Sequence, residues 1–351
     1  MKPSLVAKAL AQAITNGHPI LLTGKPGVGK TDLVKQAAEA CGAELIISHP
    51  VVSDPTDYKG MPWVIQVDGK AIANFVPFSD LHRLVTAVKR TIFLLDDLGQ
   101  APQTVQAAAM QLILARRLNE VYLSDEVVIF ACTNRREDKA GVQGILETVK
   151  SRFVSILGVD TDVEDWATWG IKNGIPFLVI SFVRWKPAML MDFKPTFAMT
   201  NSPCPRTVTH ACKIIKGGYS RDVELEMIQG AVGEAWMIEW EAFRRIEDQL
   251  PNVNRILAEP DKAEIPSEPS IMFALCGALA ERADKGSFPN IIRYSNRLSK
   301  EFTDSKGKRA TGRPEFSIML MKDCILRDSK LRKTKEFISW SLEHKEVILP
   351  M

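Results

Sequence analysis

The sequence predicts an α/β fold with a central, parallel, five-stranded sheet, followed by a largely helical second half. Three observations support this prediction. Short apolar runs alternate with helical patterns over the first 160 residues, a glycine-rich loop motif lies between the first run and a helix, and the pattern is helical after about residue 160. Short apolar strands that alternate with helices are typical of a parallel sheet covered by helices on both faces.

Length and composition describe an ordinary globular chain of two or three structural units. Of the 351 residues, 46% are hydrophobic and 25% are charged, which excludes a mainly disordered or collagen-like protein. No apolar run approaches the roughly 18 residues of a membrane-spanning helix, and the first residues lack the apolar segment of a secretion signal. Six scattered cysteines without a CxxC pair argue against a zinc site or disulfide framework. We therefore expect a cytoplasmic protein without membrane insertion.

The elements of the first half follow from apolar runs and helical spacing. A helix over 4–16 precedes the apolar run Ile20–Leu22, and the next helix extends to about Ala40. The other expected strands are Glu44–Ser48, Thr91–Asp96, Glu126–Cys132 and Phe153–Val159, with helices near 79–90 and 102–117. These strands and helices make up the predicted sheet and its covering layers.

One segment interrupts the alternation of strands and helices. Two β-prone runs between Trp63 and Ala73 are joined by Asp68-Gly69. This dipeptide favours a two-residue hairpin turn, because both central residues of that turn need positive φ angles. We therefore predict a β-hairpin inserted after the second strand.

The second half is predicted to contain only helices and connecting segments. Tryptophan, phenylalanine, methionine and isoleucine recur at helical spacing in 162–186 and 222–248, where Trp236 and Trp240 are expected in the core. Residues 251–269 contain four prolines and no clear period, so we expect a linker or surface loop. The predicted domains are thus an α/β core over 1–160, a helical lid over 161–250, a linker over 251–269 and a C-terminal helical region over 270–351.

The strongest motif lies between the first strand and the second helix. Gly24 to Thr31 matches G-x-x-x-x-G-K-[ST] in full. Such a loop directs backbone N–H groups at phosphate oxygens, and the helix that follows adds the positive end of its dipole. The alternative is a chance glycine-rich turn, which the strand–loop–helix context disfavours. The predicted phosphate-binding residues are Gly24, Lys25, Pro26, Gly27, Val28, Gly29, Lys30 and Thr31, with Lys30 on the β- and γ-phosphates and Thr31 on Mg²⁺.

A second motif places two acids at the end of an apolar strand. Asp96 and Asp97 follow Ile92–Leu95, where a buried strand ends at the ligand-binding edge of a parallel sheet. Asp96 could there hold Mg²⁺ through a water molecule, and Asp97 could orient or deprotonate an attacking water. The alternative is an acidic strand end that caps the next helix.

These motifs together resemble an AAA+ ATPase, with ATP and Mg²⁺ as its expected cofactors. Thr133-Asn134 at the end of the fourth strand and Ser151-Arg152-Phe153 before the fifth belong to the same resemblance. Asp54–Gly60 ahead of the hairpin and Gly144–Phe153 are similar to the MoxR group of the helix-2-insert clade. The resemblance covers about residues 1–250, and the choice of adenine over guanine depends on it.

The resemblance implies roles for three polar residues outside the loop. Asn134 resembles the sensor-1 residue that positions water near the γ-phosphate; the alternative is an asparagine that closes a turn. Arg152 resembles the arginine finger, which would act on the nucleotide of a neighbouring subunit. Its alternative is a surface arginine at a helix end, and Arg135 and Arg136 are rivals for the role. Arg206, after Pro205, resembles the sensor-2 arginine at the start of a lid helix.

The chain departs from the family pattern at Asp97, where a glutamate is usual. The shorter side chain moves the carboxylate by about 1 Å, a misplacement that can cost about 100-fold in rate. The sequence therefore leaves two possibilities open: ATP turnover is slow, or a shift of the backbone at Asp97 compensates for the shorter side chain.

The resemblance implies a homo-oligomeric ring, most often a hexamer, that remodels a partner protein in a chaperone-like manner. A partner with a von Willebrand factor A-type domain is expected by the same resemblance. The exposed hairpin with Trp63 is expected to contact a partner or substrate, or else to stabilise the ring. The helices after residue 266 are expected to bind the partner or to cap the ring.

Two alternatives come from other functional classes. The first is a DNA-directed motor, supported only by the basic C-terminal third, in which residues 266–351 have 16 Lys and Arg against 11 Asp and Glu. Within it, the basic stretch of Lys306, Lys308, Arg309 and Arg313 is either a solvated loop or a contact for nucleic acid or an acidic partner. The second alternative is a nucleotide-gated assembly switch that hydrolyses ATP very slowly because of Asp97.

Overall fold

The computed structural model describes residues 1–118, 121–138, 141, 144–196, 198–303 and 309–344. Contacts group these residues into two compact units. The first unit comprises residues 1–162 with 193–198, and the second comprises residues 163–192 with those from 199 onward. Lys306 and Lys308 of the predicted basic stretch lie outside the described residues.

The first unit is an α/β layer structure. Its elements in chain order are α1 (Pro3–Asn16), β1 (Ile20–Gly24), α2 (Lys30–Ala40), β2 (Glu44–Ser48), β3 (Met61–Val67), β4 (Lys70–Val76), α3 (Ser79–Val85), β5 (Thr91–Leu95), α4 (Gln103–Ala115), β6 (Arg117–Leu118), β7 (Val121–Tyr122), β8 (Val127–Thr133), α5 (Glu147–Lys150) and β9 (Ser155–Val159). Five of these strands form one parallel sheet in the order β2-β5-β8-β1-β9, which confirms the predicted fold class.

The sheet is buried most deeply at its centre. Every residue of β5 and β8 is buried, as expected for strands that have neighbours on both sides and helices on both faces. On one face Phe93 and Ile129 pack against α4 through Val105, Ala109 and Leu112. This apolar layer fixes the positions of the strand ends, where the polar residues of the sequence motifs lie.

The predicted hairpin is confirmed. Strands β3 and β4 pair antiparallel from Met61↔Val76 to Val67↔Lys70. Asp68 and Gly69 have φ angles of 52° and 75°, as a two-residue turn with two positive φ values requires. The sequence chemistry of the turn therefore sets the strand register directly.

Two helices of the first unit end before their predicted limits. Helix α3 ends at Val85 instead of residue 90, because the carbonyls of Leu84 and Ala87 accept hydrogen bonds from the N–H and hydroxyl of Ser124, at 3.1 and 2.6 Å, instead of from a further helical turn. Helix α4 ends at Ala115 instead of residue 117, because Arg116 adopts a left-handed conformation (φ 50°). Its guanidinium donates to the carbonyls of Ser124 and Val127 at 2.7 and 2.8 Å.

The second unit is almost entirely helical. Its elements are α6 (Val163–Lys172), α7 (Phe177–Trp185), α8 (Pro205–Ile215), α9 (Arg221–Val232), α10 (Glu234–Arg244), α11 (Val253–Ala258), α12 (Pro269–Glu281), α13 (Phe288–Leu298), β10 (Phe302–Thr303), β11 (Arg309–Ala310), α14 (Pro314–Arg327) and α15 (Lys335–Glu343). Among the described residues, no helix is both long and apolar enough to cross a membrane.

An aromatic cluster forms part of the core of the second unit. Trp236 and Trp240 stack with ring centroids 5.8 Å apart, and Phe182 contacts both rings edge-on at 5.2 and 5.7 Å. The indole N–H of Trp236 donates to the carbonyl of Met189 at 3.0 Å. The two tryptophans are thus core residues, as their helical spacing predicted.

The expected linker over 251–269 contributes to the core of the second unit. It contains helix α11, and its residues Ile256, Ala263 and Ile265 are buried. Its prolines interrupt the apolar period, so the sequence pattern did not indicate how these isolated apolar residues would pack. Residues on both sides of this segment belong to the same compact unit.

A buried ion cluster joins α6, α7 and α14. The guanidinium of Arg184 donates to the Asp323 carboxylate at 2.5 and 2.9 Å and to the Glu164 carboxylate at 2.9 and 3.0 Å. Burial by itself lowers the pKa of Arg184, but the two carboxylates outweigh it and the net pKa is raised. The cluster connects the expected lid with the expected C-terminal region, which are separate in the sequence.

Removing one partner of this cluster should destabilise the second unit. We expect Asp323→Ala to lower the free energy of unfolding by about 3–5 kcal/mol, since the Arg184 charge stays buried with only half of its carboxylate contacts. Lys322→Ala is the matched control: its half-exposed pair with Glu164 at 3.8 Å should contribute less than about 1 kcal/mol. Urea unfolding followed by tryptophan fluorescence measures both changes, because six of the seven tryptophans lie in the second unit. Equal effects of the two substitutions would contradict the assignment.

Candidate functional site

The three sequence motifs meet at one edge of the sheet. Strands β5, β8 and β1 are neighbours and run parallel, so their carboxyl ends lie side by side. The glycine-rich loop follows β1, Asp96 follows β5, and Asn134 follows β8. The structure therefore brings together residues that are up to 110 positions apart in the sequence (24 to 134).

The loop has the backbone that its glycines predict. Gly27 and Gly29 have φ angles of 72° and 98°, which side-chain-bearing residues rarely adopt. A Cβ atom on Gly24 would lie 2.7 Å from the carbonyl oxygen of Val159, so this glycine permits close packing against β9. A Cβ atom on Gly29 would meet no atom within 4 Å. The loop is therefore open at the N-terminus of α2, where an anion is favoured.

Lys30 connects the loop to the central strand. Its side chain is almost buried, with 7% exposed, and its ammonium group donates to the carbonyls of Gly24 and Lys25 at 3.1 and 3.2 Å and to Asn134 Oδ1 at 2.7 Å. An ammonium group has only donors, so its partner on Asn134 must be the amide oxygen. This contact fixes the orientation of the Asn134 amide, whose nitrogen then points away from Lys30 as a hydrogen-bond donor.

Thr31 and Asp96 form an oxygen pair suited to a hard cation. The hydroxyl of Thr31 donates to Asp96 Oδ2 at 2.9 Å. Two adjacent oxygens around Mg²⁺ are also about 2.9 Å apart, because its octahedral bonds are about 2.0–2.1 Å long. Among the described residues there is no cluster of three or more His, Cys, Asp or Glu side chains that could hold a metal alone. Mg²⁺ bound with a nucleotide needs few protein ligands, since phosphate oxygens and water supply the others.

The backbone turns sharply between the two acids. The N–H of Asp96 donates to the carbonyl of Ser48 at 2.9 Å, which continues the pairing of β5 with β2. Asp97 then adopts a left-handed conformation with φ 56° and ψ 33°, and its N–H donates to Asp96 Oδ1 at 3.2 Å. Aspartate is one of the few residues other than glycine that tolerate this conformation. Asp97 is partly exposed beside the nearly buried Asp96.

Arg152 lies at the amino end of the parallel strands, whereas the phosphate loop of the same chain follows their carboxyl ends. Strand β9 runs parallel to β1, and Val154, just before β9, donates its N–H to the carbonyl of Pro19, just before β1. The loop follows the other end of β1, about 16 Å farther along a five-residue strand. An arginine side chain cannot span that distance along the sheet. Arg152 is half-buried, and its terminal nitrogen donates to Ser151 Oγ at 2.9 Å.

The rival arginines have different surroundings. Arg135 follows Asn134 and forms an ion pair with Asp160 at 2.9 Å, at the same edge of the sheet as the loop. Arg136 is exposed in the short helical turn after it. Arg206 belongs to the second unit, where it is exposed in the first turn of α8 after Pro205. Its role as a sensor stays a prediction.

Sequence reasoning missed a contact between Ser48 and Tyr58 that lies next to the acidic strand end. The hydroxyl groups of Ser48 and Tyr58 are 2.7 Å apart, and the Tyr58 side chain is buried in the apolar core of the first unit. Burial raises the pKa of the Tyr58 phenol. Because the Ser48 carbonyl also accepts from Asp96, the hairpin base and the acidic strand end share one residue. A tyrosine directly ahead of the hairpin was the available signal.

The comparison with protein families identifies the first unit. A model described as ATPase family associated with various cellular activities (AAA) matches residues 20–161. These residues are therefore similar to the ATPase domains of this family. The match includes the loop, both acids, Asn134 and Arg152. The match is to the AAA family in general, so the narrower MoxR group stays a prediction.

Individual relatives show more limited similarity. Midasin from Giardia intestinalis is 32% identical over 194 residues, which are 50% of this chain but 4% of that protein. A structure of the RuvB Holliday junction branch migration motor of Thermotoga maritima is 14% identical with a TM-score of 0.39, over 90% of this chain and 92% of that chain. A point mutant of the same RuvB has 15% identity and a TM-score of 0.41 over the same shares.

Loss of the loop ammonium should weaken nucleotide binding strongly. We expect Lys30→Ala to weaken ATP binding by at least about 30-fold, the equivalent of one charge-assisted hydrogen bond of about 2 kcal/mol. Titration with a fluorescent ATP analogue measures the affinity. Lys35→Ala on the same helix is the control, because Lys35 is exposed and pairs only weakly with Asp32 at 3.6 Å. Unchanged affinity in Lys30→Ala would refute the assignment of the loop.

Proposed function

We propose that this chain is a Mg²⁺-dependent ATPase that works as a homo-oligomeric ring, a hexamer by its resemblance to the MoxR group, and that it remodels a partner protein. The observation that carries the proposal is the position of Arg152. Its own phosphate loop is at the far edge of the sheet, so a role in catalysis requires the loop of another subunit. A site completed by two subunits makes hydrolysis depend on assembly.

Within one subunit, the loop residues would bind ATP and set its orientation. Loop N–H groups and Lys30 would hold the phosphates, and Thr31 and Asp96 would hold Mg²⁺. Mg²⁺, when bound, neutralises the charge that develops on the β- and γ-phosphate oxygens. Asn134 would donate its amide N–H to the γ-phosphate or to the attacking water, an orientation supported by its bond to Lys30.

Asp97 would receive the proton of the attacking water. Because the backbone of Asp97 is left-handed, its carboxylate leaves the strand end in a different direction from that of an extended residue. Arg152 from the neighbouring subunit would stabilise the charge on the transferring phosphoryl group, for which its planar, permanently charged guanidinium is suited. Arg206 would contact the γ-phosphate from the lid, as the family resemblance implies.

The hairpin is the proposed contact for the remodelled partner. Its apolar side chains point outward on both faces of the two-stranded ribbon, and Trp63 and Val64 are each 64% exposed. Exposed apolar surface of this kind is typical of interaction sites. A partner with a von Willebrand factor A-type domain is proposed from the resemblance to the MoxR group alone.

A DNA-directed motor is the less supported alternative. The polar face of the amphipathic helix α13 is already occupied within the second unit. Arg297 donates to the carbonyls of Pro260 and Ala263, and Arg293 pairs with Asp261. Those contacts use side chains that could otherwise bind phosphates. DNA-stimulated hydrolysis, with binding that weakens steeply as salt rises, would favour this alternative.

A nucleotide-gated switch is the second alternative, and it depends on Asp97. A single-turnover assay on the assembled protein separates it from an active ATPase. We expect bound ATP to be cleaved within minutes, because the remaining site residues have the required arrangement. ATP that stays uncleaved for hours would favour the switch.

Mixing two inactive variants tests the composite site. We expect Arg152→Ala and Asp96→Asn each to bind ATP and to lack turnover, since one offers no finger and the other lacks the acid that holds Mg²⁺. Mixed rings should regain activity, up to about a quarter of the wild-type rate, because one in four head-to-tail interfaces combines an intact acid with an intact finger. ATPase measurement after subunit exchange gives the result. Mixed rings that form and stay inactive would contradict action between subunits.

A further inference from the structure

Gln106 is a fully buried polar residue in an otherwise apolar part of α4. Its neighbours on the buried face of the helix are Val105, Ala109 and Leu112. The Gln106 side-chain amide donates to the carbonyls of Ala101 at 3.1 Å and Gly144 at 2.9 Å. Its amide oxygen accepts from the N–H of Leu146 at 3.1 Å. Three backbone positions from two separate segments are therefore joined by one side chain.

These segments lead to the two halves of the catalytic machinery. Ala101 lies five residues after Asp96, in the turn that follows β5, and Leu146 is the residue before α5. The two segments are also connected directly, because the N–H of Gly144 donates to the carbonyl of Gly99 at 3.2 Å. Gly144 has a φ angle of 105°, so this path of the backbone depends on glycine.

Helix α5 connects Leu146, which Gln106 holds, to Arg152 through a chain of backbone hydrogen bonds. The Leu146 carbonyl accepts from the N–H groups of Val149 and Lys150 at 2.9 and 3.0 Å, and the N–H of Arg152 donates to the carbonyl of Val149 at 3.1 Å. A four-residue helix has negligible stability of its own, so its direction is set by what holds its ends. Gln106 holds one end, and the buried Phe153 holds the other.

An apolar side chain at position 106 could fill the same space, but it could not form the hydrogen bonds that hold the segment around Gly144 and Leu146. Methionine at position 106 would leave the carbonyls of Ala101 and Gly144 and the N–H of Leu146 without this partner. Each such loss inside a protein costs about 1–3 kcal/mol, so the segment would relax towards other partners. A displacement of about 1 Å at the guanidinium is enough to reduce catalysis about 100-fold.

We propose that Gln106 is a positioning residue for Arg152, which it aligns for the nucleotide site of the neighbouring subunit. This inference depends on the proposed function, because it assigns Arg152 the role of a finger between subunits. It predicts a defect in the finger that a subunit offers, with no defect in the nucleotide site of the same subunit. A subunit that lacks the Gln106 amide should still bind ATP and use a neighbour's finger, but should offer a poor finger itself.

Mixing Gln106→Met subunits with other variants shows whether the substitution impairs the subunit's own nucleotide site or the finger that it offers to its neighbour. We expect ATP affinity within about 2-fold of wild type and at least about 10-fold slower turnover in unmixed rings. Mixing with Asp96→Asn should restore activity, since that subunit supplies an intact finger to an intact Gln106→Met site. Mixing with Arg152→Ala should restore none, since neither subunit then supplies a well-placed finger.

The controls separate this inference from the proposed function. Failure of Arg152→Ala to complement Asp96→Asn would refute the composite site itself. If that pair complements, the inference would be overturned by a mixture of Gln106→Met and Arg152→Ala that is more active than unmixed Gln106→Met rings. It would also be overturned by wild-type turnover in unmixed Gln106→Met rings, or by an assembled mixture with Asp96→Asn that is no more active than unmixed Gln106→Met rings. Ile113→Val, a core substitution on the same helix, should keep turnover near wild type. Should Gln106→Met not fold, Gly144→Ala tests the same attachment and should show the same one-sided pattern, since alanine is strained at a φ of 105°.

Discussion

The parallel pairing of β1 with β9 is the constraint on which the rest of the site depends. It fixes the phosphate loop at the carboxyl end of β1 and the segment of Arg152 at the amino end of β9. The proposed phosphate-binding residues and the proposed finger Arg152 therefore belong to one chain but lie at opposite ends of its parallel strands. Neither set can be moved closer without breaking the strand register. Under the proposed function, the dependence of hydrolysis on assembly follows from this topology.

The residues at the carboxyl edge depend on one another in a similar way. Lys30 connects the loop to Asn134, and Thr31 connects helix α2 to Asp96. The Lys30–Asn134 contact is buried and the Thr31–Asp96 contact is partly buried at the ends of apolar strands, where water competes less than at the open surface. The apolar core thereby holds the polar residues in place, and the polar residues define what can bind.

Local chemistry made a large part of this arrangement predictable from the sequence. The spacing of Gly24, Gly29 and Lys30 requires a particular loop, and Asp68-Gly69 requires a particular turn, so motif and backbone correspond residue by residue. The apolar run before Asp96 identified a buried strand, and parallel topology then placed its end beside the loop. These features depend on neighbours in the sequence or on general rules of sheet topology.

Features that depend on distant partners could not be predicted. Arg184 meets Asp323 across 139 positions, and no local pattern marks either residue as buried. Gln106 could have been suspected as a polar residue on an apolar helix face, but its partners at Gly144 and Leu146 follow only from the packed structure. The end of α4 likewise depends on the contacts of Arg116 with a later strand. Such residues are specified by tertiary packing, which sequence periodicity does not encode.

The most direct measurement is a structure of the assembled protein with a non-hydrolysable ATP analogue. The proposed two-subunit site predicts that the analogue occupies the loop at 24–31 and that the Arg152 guanidinium of the adjacent subunit lies within hydrogen-bonding distance of its γ-phosphate, about 3 Å away. An assembly in which the analogue is bound and every Arg152 faces solvent, away from any subunit boundary, would contradict it.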